Sequence, residues 1–429
     1  MAIYPSLSAA VRADIEALLA ETDTLLKQAY PGDDGSRQPV HTVYVPANTF
    51  TPDLPAQWGR HALAAVDSWG DLQRLSALVG AETTTDEISR RVDAKLRSEP
   101  IEDLRLDFED GYGDRGDEVE DADAIAAAHN IATAVADGIA PSFIGIRFKS
   151  FEAPTRARGL RTLDLFVSTL LEHDELPAGL TLTLPKVTTS AQVVAMAAAV
   201  SALEDAHGLH RGRLTFEVQV ETPQLILDAG GTSPLSRLPH LVPGRISALH
   251  YGTYDYSASL DIAAEYQSME HPVADFAKQV MQLAVAGTGI RLSDGSTNIL
   301  PVGDCIEDAW HLHARLVRRS LERGFYQGWD LHPAQLPTRF IATYSFYRHG
   351  FAQAAARLRL YLAKTAGVVM DEPATARALA GFVYRGLACG AIDDSELRSA
   401  IGIDTSRLRA LAIPQRPQRT PAHDSTPHE

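Results

Sequence analysis

The chain has 429 residues, 45% of them hydrophobic, a formal net charge of −16 and a pI near 5.4. That length accommodates one barrel-sized core plus a smaller module, and the acidic balance offers no basic footprint for nucleic acid or for an anionic membrane surface. Its two cysteines, Cys305 and Cys389, make no disulfide framework, zinc spacing or CxxC pair, so the expected compartment is the reducing cytoplasm and the expected partners are small molecules.

Residues 6–29 mix acids and bases with apolar residues at helical spacing, which predicts a helix that is neither a signal peptide nor a membrane span. No later segment is long and apolar enough to span a bilayer, so no membrane association is expected. Short runs rich in Val, Ile, Leu and Phe then recur at 42–45, 104–108, 143–148, 180–184, 214–220, 246–251, 298–302 and 328–331. Ala-rich stretches with helical periodicity, such as 122–137 and 191–207, lie between them. This alternation is that of βα units, and eight of them predict an α/β fold, a TIM (β/α)8 barrel.

The polar residues at the ends of these runs strengthen that expectation. Glu109, Asp110, Arg147, Lys186, Glu221, Asp255 and His332 all stand at or just after a C-terminal strand end. A barrel gathers its active site on that face, whereas a doubly wound sheet would collect ligands at one switch point. From about Tyr344 the strand signals stop, and 351–364, 374–385 and 394–401 read as amphipathic helices. The expected organisation is therefore a barrel with an N-terminal helix over 1–343, a helical C-terminal module over 344–413 and a disordered tail over 414–429.

Glu221 ends the run Phe216–Val220 and Asp255 ends the run Leu249–Tyr254, so two neighbouring strand ends each offer a carboxylate. A hard divalent ion, Mg²⁺ or Mn²⁺, takes one or two carboxylates and completes its octahedron with water and substrate oxygens, which points to a metal-dependent enzyme. Arg147 interrupts the strand Ile144–Phe148 and needs a partner, either a substrate carboxylate or a neighbouring acid. Asp107, Glu109 and Asp110, three carboxylates at a strand terminus followed by glycines, could orient an arginine or hold metal-bound water, while the later acids of 114–123 read as a solvated face. Lys186 admits a Schiff base, a phosphate contact or a structural ion pair; the sequence favours the last, and the surrounding acids favour the ammonium form over an imine. His332 is open between a ligand, an acid/base and a hydrogen-bonding role. No Walker or dinucleotide fingerprint is present.

Taken in order, Val43-Tyr44-Val45-Pro46, Asp107-Phe108-Glu109-Asp110-Gly111, Ile146-Arg147, Leu184-Pro185-Lys186-Val187, Val220-Glu221-Thr222-Pro223, Gly252-Thr253-Tyr254-Asp255 and Gly328–Gln335 resemble the motifs of the HpcH/HpaI aldolase and citrate lyase β-subunit superfamily, in particular its citramalyl-CoA and malyl-CoA lyase-like branches. The resemblance implies a Mg²⁺-dependent carbon–carbon lyase working through an enolate on a short oxo or hydroxy acid or its CoA thioester. It places Glu221 and Asp255 on the metal, Arg147 as the catalytic arginine on the substrate, and Glu109, Asp110 and Lys186 around that substrate. A malyl-type thioester hydrolase, a phosphoenolpyruvate-directed phosphoryl transfer and an inactive ligand-binding homologue are the alternatives. Asp371, in Val368–Pro373, is similar to the acid/base aspartate that a neighbouring subunit supplies in the malyl-CoA lyase-like branch, which implies a homo-oligomer, a trimer or hexamer. From the residues alone, Asp371 is equally the N-cap of the helix that follows.

Overall fold

The computed structural model describes residues 7–81, 85–173, 176–363 and 372–413. The chain divides into two compact units, Met1–Phe346 and Tyr347–Glu429. In the first, eight parallel strands form the barrel: β1 (His41–Pro46), β2 (Asp103–Asp107), β3 (Phe143–Arg147), β4 (Leu180–Leu184), β5 (Phe216–Val220), β6 (Ile246–Tyr251), β7 (Arg291–Ser293) and β8 (Gly328–Asp330). Each pairs with its sequence neighbour and β1 pairs with β8. The β7–β8 seam is closed by a Ser293–Gln327 bridge, by Asp294 N donating to Gln327 O at 2.8 Å and by Trp329 N donating to Gly295 O at 3.0 Å. The TIM barrel expected from the alternation is therefore the fold.

Parallel strands of this kind are buried on both faces. All residues of β2, β4 and β5 are buried, including the polar ones of Asp-Leu-Arg-Leu-Asp and Phe-Glu-Val-Gln-Val. Leu104, Leu106, Leu182, Leu184, Val218 and Val220 pack outward against the helices, and the alternate positions fill the barrel. Backbones approach closely enough that a Cβ on Gly145 would stand 1.7 Å from Thr181 O, so β3 must carry glycine opposite β4.

One expected strand is misplaced. Residues 298–302 form no strand; the seventh is Arg291–Ser293, in register with Ala248–His250. Pro301 lacks an N–H for a central ladder, and Ile299 and Val302 are each half exposed, so this apolar run lines a loop at the C-terminal face. Asn298 N donates to Tyr254 Oη there at 2.6 Å.

The N-terminal helix, Ala9–Ala29, starts at Ser8, whose hydroxyl accepts from Val11 N. The long helix Leu336–Leu362 runs past the division, and the second unit adds Pro373–Ala388, Asp394–Ile401 and Thr405–Ala412. Asp393 and Glu396 form a reciprocal capping box at the third of these four helices. Among the described residues no helix is long and apolar enough to cross a membrane.

Candidate active site

The register of β2 against β3 sets Asp107 beside Arg147, the last residue of each strand. Arg147 Nε and Nη2 donate to the two Asp107 oxygens at 2.7 Å each, and the same carboxylate accepts from the backbone N–H groups of Glu109 at 3.0 Å and Gly111 at 2.7 Å. The guanidinium carbon lies 4.9 Å from the centroid of the Tyr44 ring, whose hydroxyl accepts from Gln219 Nε2 at 3.1 Å. Arg147 is thus held along one edge and on one face. Its far edge, at Nη1, stands 3.5 Å from Glu109 Oε2.

Lys186 follows β4 and adopts a left-handed backbone with φ of 50°, which brings its N–H to Glu221 Oε2 at 2.9 Å. Its ammonium contacts Glu109, Asp110 at 2.7 and 2.8 Å, and Asp255 at 3.8 Å. Glu221 follows β5 and is 1% exposed. A Cβ on Gly252 would lie 2.3 Å from Glu221 Cγ, so glycine at the end of β6 makes room for this carboxyl. Asp255 occupies the first turn of the helix Thr253–Ala258, with its side chain 41% exposed at the mouth.

The charges here do not balance. Asp107, Glu109, Asp110, Glu221 and Asp255 face two cations, Arg147 and Lys186, among the described residues. Burial pushes the Glu221 carboxyl up to about 8, with Asp255 and Glu109 adding repulsion that Arg147 and the Lys186 N–H only partly offset. Burial likewise pushes Glu109 up to about 7 and raises Asp255. Asp110 is held below its ordinary value: burial opposes this, but the Lys186 hydrogen bond and the Arg147 charge prevail. Glu109, Glu221 and Asp255 are the carboxyls that burial and neighbouring carboxylates raise, so ionising all three together calls for positive charge beyond Arg147 and Lys186.

The structure therefore brings Glu109, Asp110, Arg147, Lys186, Glu221 and Asp255 to one barrel end. Asp371 lies outside the described residues. The N-cap of the helix Pro373–Ala388 is Glu372, so the capping alternative for Asp371 is corrected by one position, and Pro373 at the first turn sets the boundary. His332 follows β8 and its Nδ1 accepts from Ala334 N at 3.1 Å, with burial and the nearby His61 lowering its pKa. Among the described residues, no group of three or more His, Cys, Asp or Glu side chains is gathered as a metal cage.

The sequence left the partner of Arg147 open between a substrate carboxylate and a neighbouring acid, with Asp107 among the three carboxylates able to orient an arginine, and the structure pairs the two. Asp107 was readable: two runs ending in Asp and Arg, paired in parallel with level ends, must set these side chains together. Sequence reasoning missed a second ionic cluster inside the barrel. Arg105, fully buried, donates to Asp103 at 2.8 Å and to both Glu217 oxygens at 3.1 Å. Thr183 donates to Glu217 at 2.9 Å, and His250 Nε2 lies 3.1 Å from it at ion-pair distance without hydrogen-bond alignment. Trp329 Nε1 donates to His250 Nδ1 at 3.0 Å.

Comparison with known proteins agrees on the fold. A citrate lyase from Burkholderia xenovorans LB400 superposes with a TM-score of 0.56 at 20% identity, covering 84% of this chain and 96% of that one. CitE from Mycobacterium tuberculosis, solved with magnesium, acetoacetate and coenzyme A, gives 0.48 at 17% identity over 83% and 99%. Haloferax volcanii malate synthase gives 0.48 at 15% over 88% and 97%. At 20% identity the likeness to the citrate lyase is one of fold, a shared barrel. A search of curated protein sequences returns no significant match. Residues 19–416 match the family model described as a domain of unknown function, DUF6986, and the chain belongs to that family.

Proposed function

We propose that the chain is a Mg²⁺-dependent carbon–carbon lyase or aldolase that cleaves or forms a bond next to the carbonyl of a short oxo or hydroxy acid. The observation that carries this reading is the uncompensated carboxylate cluster around Glu221 and Asp255, beside a rigidly held arginine. Glu221 and Asp255 would hold the ion: both are oxygen donors from adjacent strand ends, and burial keeps Glu221 short of positive charge. When bound, Mg²⁺ supplies a Lewis acid at the oxygens of a 2-oxo acid, lowering the energy of enolate charge.

The remaining work falls to the side chains. A guanidinium has two usable edges, and with Nε and Nη2 fixed by Asp107 the edge at Nη1 meets an incoming carboxylate or enolate oxygen. Because Asp107 and Tyr44 fix its position before substrate arrives, Arg147 stabilises charge that develops during cleavage with little reorganisation. Lys186, kept protonated by Glu109 and Asp110 despite burial, adds a second positive group at the mouth and does not serve as an imine-forming amine. Glu109, pushed up to about 7, is suited to hold a proton near neutral pH beside the substrate. Asp371 retains its proposed acid/base role.

The test is turnover of a panel of hydroxy-oxo acids and acyl-CoA thioesters with Mg²⁺ and with chelator, read by mass spectrometry. The proposal expects two organic fragments and no consumption of water. Release of free thiol with the acyl skeleton intact would replace it with a hydrolase.

A further inference from the structure

The helix Ala9–Ala29 has 21 residues and none is buried. Val11 and Ile15 are each 42% exposed, Leu18 78%, Leu19 49% and Leu25 57%. These side chains are not scattered. Val11, Ile15, Leu18, Thr22, Leu25 and Ala29 alternate spacings of four and three, the a/d repeat of a two-stranded coiled coil, with Leu19 widening the seam. At its C-terminal end the helix is anchored to the barrel unit: the Tyr30 and His240 rings meet edge to face at 5.3 Å, and Gly32 N donates to Gly287 O at 2.8 Å. Of the seam, Val11, Ile15, Leu18, Thr22 and Leu25 are exposed and Ala29 is half-buried.

We propose that this helix pairs in parallel and in register with the same helix of a second copy of the chain. The central a positions carry β-branched Ile15 and Thr22 and the central d positions Leu18 and Leu25, the distribution that favours two parallel strands, with Val11 at d and Ala29 at a closing the two ends. In that register Asp14 and Glu21, at g, lie opposite Leu19 and Leu26 of the other helix, so no like charges meet across the seam. An anionic membrane is a poor occupant, because the polar faces carry Asp14, Glu16, Glu21 and Asp23 against Arg12 and Lys27. Two such faces brought together remove on the order of 1,000 Å² from water, the lower edge of a specific interface. The pairing is therefore a concentration-dependent junction that doubles whatever assembly the barrels form.

The experiment uses the full chain. Leu18→Glu with Leu25→Glu is expected to halve the solution mass measured by light scattering while leaving circular dichroism unchanged. Independently, Leu18→Cys in a Cys305→Ser background, treated with a mild thiol oxidant, is expected to give mostly covalent dimer, whereas Ala20→Cys, at an outward f position, stays monomeric on denaturing gels. A mass unchanged by the double substitution, or Leu18→Cys crosslinking no better than Ala20→Cys, overturns the proposal.

Discussion

The same barrel holds two ionic clusters short of cations, one sealed at mid-depth and one open at the mouth, and they differ in what can reach them. At mid-depth, Arg105 sits between Asp103 and Glu217. Although burial opposes it, Arg105 and His250 hold Glu217 at about 2, and the shortage of charge is left on Asp103, which burial raises. At the mouth the carboxyls outnumber the cations, and Glu221 and Glu109 are pushed up to about 8 and about 7. The mid-depth cluster leaves its raised carboxyl, Asp103, sealed inside the barrel, whereas the mouth leaves raised carboxyls beside the exposed Asp110 and Asp255, within reach of a charge from outside.

The largest effect separating the two belongs to Glu221. Glu221→Gln keeps the shape but removes the charge, and turnover is expected to fall roughly a thousandfold or more with Mg²⁺ dependence lost, by analogy with the loss of one strong transition-state contact. Steady-state kinetics across a Mg²⁺ series checks this. Next comes Arg147→Lys, expected to lower kcat/KM by roughly a hundredfold, because an ammonium cannot grip Asp107 along one edge and present another. Equal kcat/KM in the two forms would show that charge alone suffices.

At mid-depth the effect should appear in stability instead. Arg105→Leu leaves Asp103 and Glu217 buried without their cation and should cost about 3–5 kcal/mol in chemical denaturation. Restoring Mg²⁺ should recover none of it.

The pH dependence carries opposite signs for Glu221 and for Glu217. Glu221 has a folded pKa above its ordinary 4.5, so its stabilising protonated form is present at low pH, and stability of the metal-free protein is lost as pH rises from about 4.5 to about 8. Glu217 is depressed, so its contribution is present above 4.5 and is lost as pH falls toward about 2. Urea midpoints across pH should therefore fall on both sides, and saturating Mg²⁺ should flatten the alkaline side alone. The smallest effect is expected from Gly252→Ala, about 1–3 kcal/mol through crowding of the Glu221 side chain, with weaker Mg²⁺ binding as its specific signature in calorimetry.

How much of this was legible in the sequence follows the same division. The mouth residues stand where apolar runs stop, and an interrupted run is visible one residue at a time. Arg105, Glu217 and His250 were not visible, because Leu-Arg-Leu-Asp and Phe-Glu-Val-Gln read as half-solvated alternation, and only barrel closure turns the polar side of that alternation inward. The seventh strand failed for a related reason. Arg291-Leu292-Ser293 carries less apolar signal than Asn298–Val302, yet its backbone can pair on both sides, which Pro301 cannot.

The most direct test of the account is calorimetric titration of Mg²⁺ into the metal-free protein at pH 7, repeated in two buffers of different ionisation enthalpy. Uptake of one ion per chain is predicted, with protons released as Glu221 ionises, and both signals should vanish in Glu221→Gln. Absence of binding, or binding that the Glu221→Gln variant retains unchanged, would contradict the claim that the mouth cluster is a cation site.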